Sequence, residues 1–361
     1  MEGKEKKTSK YTALYRRLRS EIQSGALKAG TRLPSKRAMA DLQGVSVVTV
    51  EAAYRQLADE GYVEARERSG FYVQDIPARP AAAGEHGDER LELLPGDTAQ
   101  DADGLFFPYS VWFRTVRSVI SDYGEALVQK SPNKGCSPLR NALAEYLARY
   151  RGLHVQPGQI IIGSGSEQLY GCIVRLLGRD RVYGIEDPSY RQIEAAYAGA
   201  GAQVERLALA ADGIPFDALK KSCATVLHVT PFHSYPSGVT APAAKRFEYL
   251  RWASEGDRYI VEDDFDSEFF TPGNPLETLY SMDRSGRVIY MNTFSRSLAP
   301  AMRMGYMILP GALIERYDAV LGGYSCTVPP LEQYALAEFI SRGYFEQHLN
   351  RKRRRMAKEG Q

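Results

Sequence analysis

The sequence predicts two folded parts: a small three-helix module closed by a β-hairpin, then a larger α/β domain on a largely parallel sheet. Three observations carry this reading. Helix-period apolar stripes and two strand signals fall between residues 11 and 73. From about Leu94, apolar strand-like runs alternate with helical stretches. Between them, Ile76 to Leu94 reads IPARPAAAGEHGDERLELL, rich in Pro, Ala, Gly and charge and without periodicity, as a flexible linker does. The expected boundaries are 1–75, 76–93 and 94–361.

The first module can be justified element by element. Leu14, Leu18 and Ile22, with Tyr11 and Tyr15 beside them, make the stripe of a helix over Tyr11–Ser24. Gly25 and Gly30 end it. Ser35 after Pro34 suits an N-cap for a second helix through Leu42. Gln43-Gly44 forms the turn, and Ser46 suits the cap of a third helix with Val50, Tyr54 and Leu57 inward. Gly61 closes that helix. Strands are expected at Tyr62–Arg66 and Gly70–Val73, joined through Glu67, Arg68 and Ser69. This is the order of a winged helix-turn-helix. Its third helix fits a DNA major groove, and a wing tip carrying Arg66 and Arg68 suits phosphate.

Charge agrees in sign. Residues 1–75 hold 14 Lys+Arg and 10 Asp+Glu, a net +4, against −2 for the rest of a chain whose total is +2. A basic module on a slightly acidic body points to a polyanion partner.

Composition sets the remaining bounds. The 361 residues are 44% apolar and 25% charged, as in globular proteins. No apolar run reaches the roughly 18 residues of a membrane span. The start, MEGKEKKTSK, has no apolar core of a signal peptide, so a cytoplasmic location is expected. Cys136, Cys172, Cys223 and Cys326 form no CxxC pair and are expected to be buried reduced thiols. The five histidines are scattered, and no metal site is expected.

The segment LPSKRAMADLQGVSVVTVEAAYRQLADEGYVEARERSGFYV resembles the GntR family of bacterial repressors. The shared features are LPS-x-R, V-S-x-x-T-V, L-x-x-x-G and a wing glycine. The resemblance implies that Arg37 contacts phosphate. It also implies that Ser46, Val47, Val48 and Thr49 lie in or beside the groove and that Gly70 sits at the wing. The family often has arginine directly after V-S; this sequence has Val47, which removes a phosphate or base contact.

In the larger part, IIIG (160–163), RVYGIED (181–187), ATVLHVT (224–230), RYIVEDD (258–264) and RVIYMNT (287–293) are expected strands. Arg140–Tyr150, Glu167–Leu177, Tyr190–Ala200 and Ala244–Ser254 are expected helices. Ligands of such sheets bind at the carboxyl ends of the strands. The loops there are GSGSEQ, EDPSY, TPFHSYPSG, EDDFDSEF and NTFSRSLAPAMRMGY. In this order they resemble fold-type I pyridoxal-phosphate enzymes. Behind a GntR-type head, they resemble the aminotransferase-like domain of MocR/GabR-type regulators.

Pyridoxal 5'-phosphate requires a phosphate cradle, an acid near its pyridine nitrogen, an aromatic over the ring and a lysine. Gly165 and Ser166, between strand and helix, suit an anion at a helix N-terminus. Thr293, Ser295 and Arg303 supply hydroxyl and guanidinium donors, and Asp263 is placed for the pyridinium. By resemblance, Tyr190 stacks on the ring and His233 to Gly238 lies near the cofactor. Taken alone, the run Glu262, Asp263, Asp264, Asp266, Glu268 also suits a solvated loop or a metal cluster.

Two departures concern chemistry. The family's T-F-S-K-S-L-A-P carries the Schiff-base lysine; here Arg296 replaces it. A guanidinium stays protonated and is a poor nucleophile, so no covalent attachment is expected. The family's tyrosine after E-D-D is Phe265. A third departure is length: by resemblance, the family continues past this C-terminus into a small domain bearing a carboxylate-binding arginine. The fold-type I domain is therefore expected to be C-terminally incomplete. Arg351–Arg355 reads as a solvated helix end. The expectation is a DNA-binding, homodimeric transcription regulator. Its aminotransferase-like domain serves dimerisation or senses a small effector such as an amino acid or amine. It holds pyridoxal phosphate, if at all, through noncovalent contacts that include Arg296. The alternative, an aminotransferase with a DNA-binding head, requires lysine at position 296; a third reading is a nonfunctional remnant.

Overall fold

The computed structural model describes residues 10–66, 69–75, 107–265, 267–270 and 277–359. The chain divides into two units, Met1–Glu92 and Leu93–Gln361. The expected linker, 76–93, lies outside the described residues.

The first unit contains α1 (Lys10–Gln23), α2 (Lys36–Gln43), α3 (Val47–Asp59), β1 (Val63–Arg66) and β2 (Gly70–Val73). Both expected caps are present. Ser35 Oγ accepts from the Ala38 N–H and Ser46 Oγ from the Thr49 N–H, each at 3.2 Å. Each satisfies an orphan donor of a first turn. Gly44 ends α2 in the left-handed region at φ 58°, which costs glycine no Cβ strain. The strands pair antiparallel from Val63↔Val73 to Arg66↔Gly70. The stripe Leu14, Leu18, Ile22 packs with Val50, Ala53, Tyr54, Leu57, Val63 and Val73 into one core.

The second unit is built on a seven-stranded sheet of order β3-β9-β8-β7-β6-β4-β5. The strands are β3 (Ile160–Gly163), β4 (Val182–Asp187), β5 (Gln203–Ala208), β6 (Val226–Val229), β7 (Tyr259–Asp263), β8 (Val288–Thr293) and β9 (Gly305–Ile308). The five expected strands are all present. The pairs β4–β5, β4–β6, β6–β7 and β7–β8 are parallel, whereas β9 runs antiparallel to both neighbours, β3 and β8. With β9 reversed, β3 points the same way as β8. The carboxyl ends of β3, β4, β6, β7 and β8 therefore share one edge with the amino end of β9.

Helices cover both faces, as parallel strands require. They are α4 (Tyr109–Tyr123), α5 (Ser137–Arg151), α6 (Ser166–Leu177), α7 (Arg191–Gly199), α8 (Phe216–Lys221) and α9 (Ala243–Ser254), then α10 (Ser267–Phe270), α11 (Leu279–Met282), α12 (Phe294–Ser297), α13 (Ile314–Leu321), α14 (Pro330–Ser341) and α15 (Tyr344–Glu359). Successive strand side chains alternate between faces. Ile161, Val261, Ile289 and Met307 join one core with α6, α7 and α13. Ile160, Ile162, Tyr290, Tyr306 and Ile308 join another with α5, α14 and α15.

Three expectations are corrected here. Cys136 and Cys172 are buried, but Cys223 is exposed and Cys326 intermediate. The acids of 262–268 do not form a solvated loop, since Glu262, Asp263, Asp264 and Glu268 are all buried, and among the described residues they form no group that could hold a metal ion. Glu262 accepts from the N–H groups of Leu279 and Tyr280, at 2.8 and 2.9 Å. Asp264 pairs with Arg151 and accepts from Tyr290 Oη, and Glu268 accepts from Tyr146 Oη; Asp266 lies outside the described residues. Finally, the basic run of α15 is only partly solvated. Arg351, Arg354 and Arg355 are exposed, but Lys352 is buried. Lys352 donates to the Arg296 carbonyl, and Arg353 to that of Glu268.

Candidate functional site

On the first unit, Arg37, Ser46, Val47, Val48 and Arg66 of the residues expected to meet DNA are exposed, while Thr49 and Gly70 are half-buried. Arg37 stands in the first turn of α2 and Arg66 at the end of β1, both exposed. The Arg66 guanidinium lies 4.6 Å from the Tyr72 ring centroid and bonds Glu64 at 3.0 Å. A side chain held by two neighbours loses less freedom on meeting a phosphate. Ser46, Val47 and Val48 are exposed at the start of α3, and Thr49 is half-buried, its hydroxyl 2.8 Å from that of Ser46. Gly70 has φ 117°, and a Cβ there would stand 3.3 Å from Arg32 Nε. Arg68 lies outside the described residues.

In the second unit, a cavity of about 280 Å³ opens at the shared strand edge. Five strand ends feed it: Ser166 follows β3, Glu186 is the second-to-last residue of β4, Thr230 follows β6, and Asp263 and Thr293 end β7 and β8. Of the expected contact residues, Ser166, Tyr190, Asp263 and Thr293 line it, as do Ser295, Arg296 and Arg303. Gly165 caps α6 beside them. A Cβ on it would stand 3.1 Å from Arg303 Nη2, so glycine leaves that guanidinium its place. Arg303 itself adopts φ 37° and pairs with Glu167 at 3.5 Å, with both side chains about half exposed. Such an open pair contributes little stability.

Asp263 is buried and lines the cavity. Tyr170 Oη donates to its Oδ2 at 2.6 Å, and His228 Nε2 stands 3.5 Å from the same oxygen. Tyr197 Oη meets the other ring nitrogen of His228 at 2.8 Å. Burial, reinforced by the Asp263 charge, drives the Tyr170 phenol well above its ordinary range, so it remains a donor. Sequence reasoning missed Tyr170 and His228, which sit mid-helix and mid-strand without a motif. It also missed Glu186 as a lining acid. Burial pushes that carboxyl up to about 7, against the hydrogen bonds from Ser234 and Thr230 that favour its charged form.

Arg296 reaches the cavity from α12. Its guanidinium lies 5.5 Å from the Phe265 ring and 5.7 Å from that of Phe269. Both departures noted in the sequence, Arg296 and Phe265, thus occupy one wall and touch each other. Arg296 together with burial lowers the pKa of His233, burial being the larger cause. Tyr190 meets Tyr235 edge-on at 6.1 Å, and both line the cavity.

The two units thus define a helix-turn-helix head on a chain with an aminotransferase-like body. Residues 10–73 match the family model described as bacterial regulatory proteins, gntR family, and residues 121–361 match aminotransferase class I and II. The chain is 33% identical to the uncharacterized HTH-type transcriptional regulator YdeL of Bacillus subtilis, over 95% of this chain and 76% of that protein. It is 34% identical to the probable rhizopine catabolism regulatory protein MocR of Rhizobium meliloti, over 94% of this chain and 73% of that one. Among solved structures, it is similar to the α-aminoadipate aminotransferase LysN of Thermus thermophilus, complexed with N-(5'-phosphopyridoxyl)-L-leucine. That similarity has a TM-score of 0.60 at 26% identity, over 69% of this chain and 64% of that one, under two thirds of its length. The chain belongs to the gntR-type transcriptional regulators of the MocR kind, which join this head to an aminotransferase class I and II domain. Among the described residues no helix is long and apolar enough to cross a membrane.

Proposed function

We propose that this regulator binds duplex DNA through the start of α3 and the hairpin, and holds pyridoxal phosphate noncovalently in the strand-end cavity. The observation that carries the second half is that Arg296 and Phe265, in contact with each other, line the same cavity as Asp263 and the other residues expected to hold that group. The noncovalent requirements fit: a buried acid held by Tyr170, an aromatic at Tyr190, and donors at Ser166, Thr293, Ser295 and Arg303. The covalent requirement does not. When bound, the group supplies an electrophilic aldehyde and an electron-accepting ring. The guanidinium of Arg296 is a poor nucleophile and offers that aldehyde no primary amine.

What the residues of this chain do is bind and orient. Asp263, whose Oδ2 accepts from the Tyr170 hydroxyl, would hold the ring nitrogen of the bound group. Ser166, at the N-terminus of the 12-residue helix α6, and Arg303 favour an anion. Arg296 favours a second anionic group, such as the carboxylate of an amino-acid effector. A ligand regulates DNA binding only if it prefers one conformational state of the chain over another. A homodimer would present two heads to two half-sites.

The test is incubation of the full chain with pyridoxal phosphate, borohydride reduction and peptide mapping, alongside a dialysis measurement of affinity. Saturable binding with no reduced lysine in the cavity is expected. A cofactor fixed to a specific lysine would overturn the noncovalent reading, and absence of saturable binding would remove the cofactor altogether.

A further inference from the structure

The outward face of α3 carries side chains of an unexpected kind for a helix facing a polyanion. At roughly 100° per residue, Val48, Ala52 and Arg55 fall on one stripe. It lies opposite the buried stripe Val50, Ala53, Tyr54 and Leu57. Val48 is 75% exposed and Val47, on its flank, 40%. Neither belongs to the core of the head.

The polar side chains nearby are already engaged. The hydroxyls of Ser46 and Thr49 bond each other at 2.8 Å, and Ser46 also caps the helix. Lys36 is paired with Glu51 at 2.7 Å. The first turn of α3 therefore presents methyl groups outward, while the exposed cations Arg37, Arg55 and Arg66 lie on α2, further along α3 and on β1. These charges suit phosphates, and the first turn is the part of such a helix that reaches base edges.

In the major groove an aliphatic group finds one apolar feature, the C5-methyl of thymine. The other groove-edge features are hydrogen-bonding groups, which a valine would desolvate without replacing their partners. We propose that Val48, flanked by Val47, reads thymine methyl groups in the major groove, so that this part of each half-site is specified by methyl contact rather than by hydrogen bonds. The proposal rests on the DNA-binding reading above. Ala52, one turn on along the same stripe, adds no bulk to hold the helix away from the bases.

The experiment selects duplexes from a random pool with the full chain, then resynthesises the winner with deoxyuridine replacing thymidine one position at a time. Deoxyuridine lacks only the methyl group. At one or two thymidines per half-site the replacement is expected to weaken binding about fourfold, burial of one methyl being worth roughly 0.8 kcal/mol. With Val48→Ala the penalty at those positions should fall toward one, while the salt dependence of binding stays unchanged. Val48 is exposed, so this variant keeps the core of the head intact. Equal affinity for deoxyuridine and thymidine at every position would overturn the proposal, as would a penalty that Val48→Ala leaves intact. Failure to enrich any sequence would instead remove the DNA-binding reading, and this inference with it.

Discussion

Lys352, near the end of the last helix, donates a hydrogen bond to the main-chain carbonyl of Arg296, the cavity-lining residue proposed to replace the family's lysine. The ammonium also lies 4.9 Å from the Phe269 ring centroid. One turn earlier, His348 Nε2 meets the Ser297 carbonyl at 3.0 Å. α15 thus anchors the short helix that carries Arg296 into the cavity. A buried ammonium contributes here by satisfying a carbonyl and stacking on a ring. Lys352→Met keeps the bulk and removes the charged donor, at an expected cost of about 1.5–3 kcal/mol. Thermal unfolding of the full chain should show the loss, and binding of pyridoxal phosphate should weaken with it. An unchanged melting temperature would mean that α15 does not hold α12 in place.

The buried acids set a pH dependence whose sign is opposite to that of an ordinary surface carboxylate. Burial, with the nearby Asp264 charge, raises Glu268 to about 7, and the same causes raise Glu262 to about 8. Their unfolded values stay near 4.5. Between the unfolded and folded values the native state binds more protons, so stability falls as pH rises through that window and levels off above it. For Glu268 the full effect is at most roughly 3 kcal/mol. Glu268→Gln retains an acceptor for Tyr146 and removes the proton. Denaturation between pH 5 and pH 8 (about the window set by these shifts) should therefore show a shallower decline in the variant. A slope as steep as that of the parent would exclude Glu268 as its source.

Much of this arrangement was legible in the sequence, and the reasons differ by residue. The caps Ser35 and Ser46 announce themselves because a hydroxyl before an apolar stripe has few other uses. Asp263 could be singled out from its acidic neighbours by alternation. Tyr259, Val261 and Asp263 share one face of β7, whereas Glu262 faces the other. Tyr170 and His228 could not be found that way, since a buried polar pair across a helix and a strand leaves no spacing signature. Strands β5 and β9 also escaped. β5 mixes exposed charges with its apolar residues, and β9 is only Gly305–Ile308, reversed against its neighbours. Lys352 looked like part of a solvated basic run because charge alone does not show which member of a helix turns inward.

Restoring the amine tests the assignment of Arg296 directly. Arg296→Lys places a primary amine on the same wall of the cavity, with Asp263 and the hydroxyls unchanged. The variant should acquire a borohydride-fixed pyridoxal group on the introduced side chain, which the parent lacks. Phe265→Tyr in the same background adds a phenolic donor to that wall and should tighten binding further, by about 0.5–1.5 kcal/mol for one new hydrogen bond. If Arg296→Lys binds the cofactor but remains unmodified, the wall lies too far from the aldehyde and the cavity holds the group in another orientation.

Phosphate contacts can be separated from base contacts by salt. Arg37 is exposed in the first turn of α2, and no base-reading role is assigned to it. Each phosphate neutralised on duplex DNA contributes about 0.9 to the slope of log affinity against log salt. Arg37→Ala should therefore weaken binding to all duplexes by similar factors and reduce that slope by about one. Val48→Ala should do the reverse, changing the ranking of sequences while leaving the slope alone. A slope unaffected by Arg37→Ala would place this guanidinium off the backbone. A sequence-dependent loss would move it from the positioning set to the reading set, beside the valines of α3.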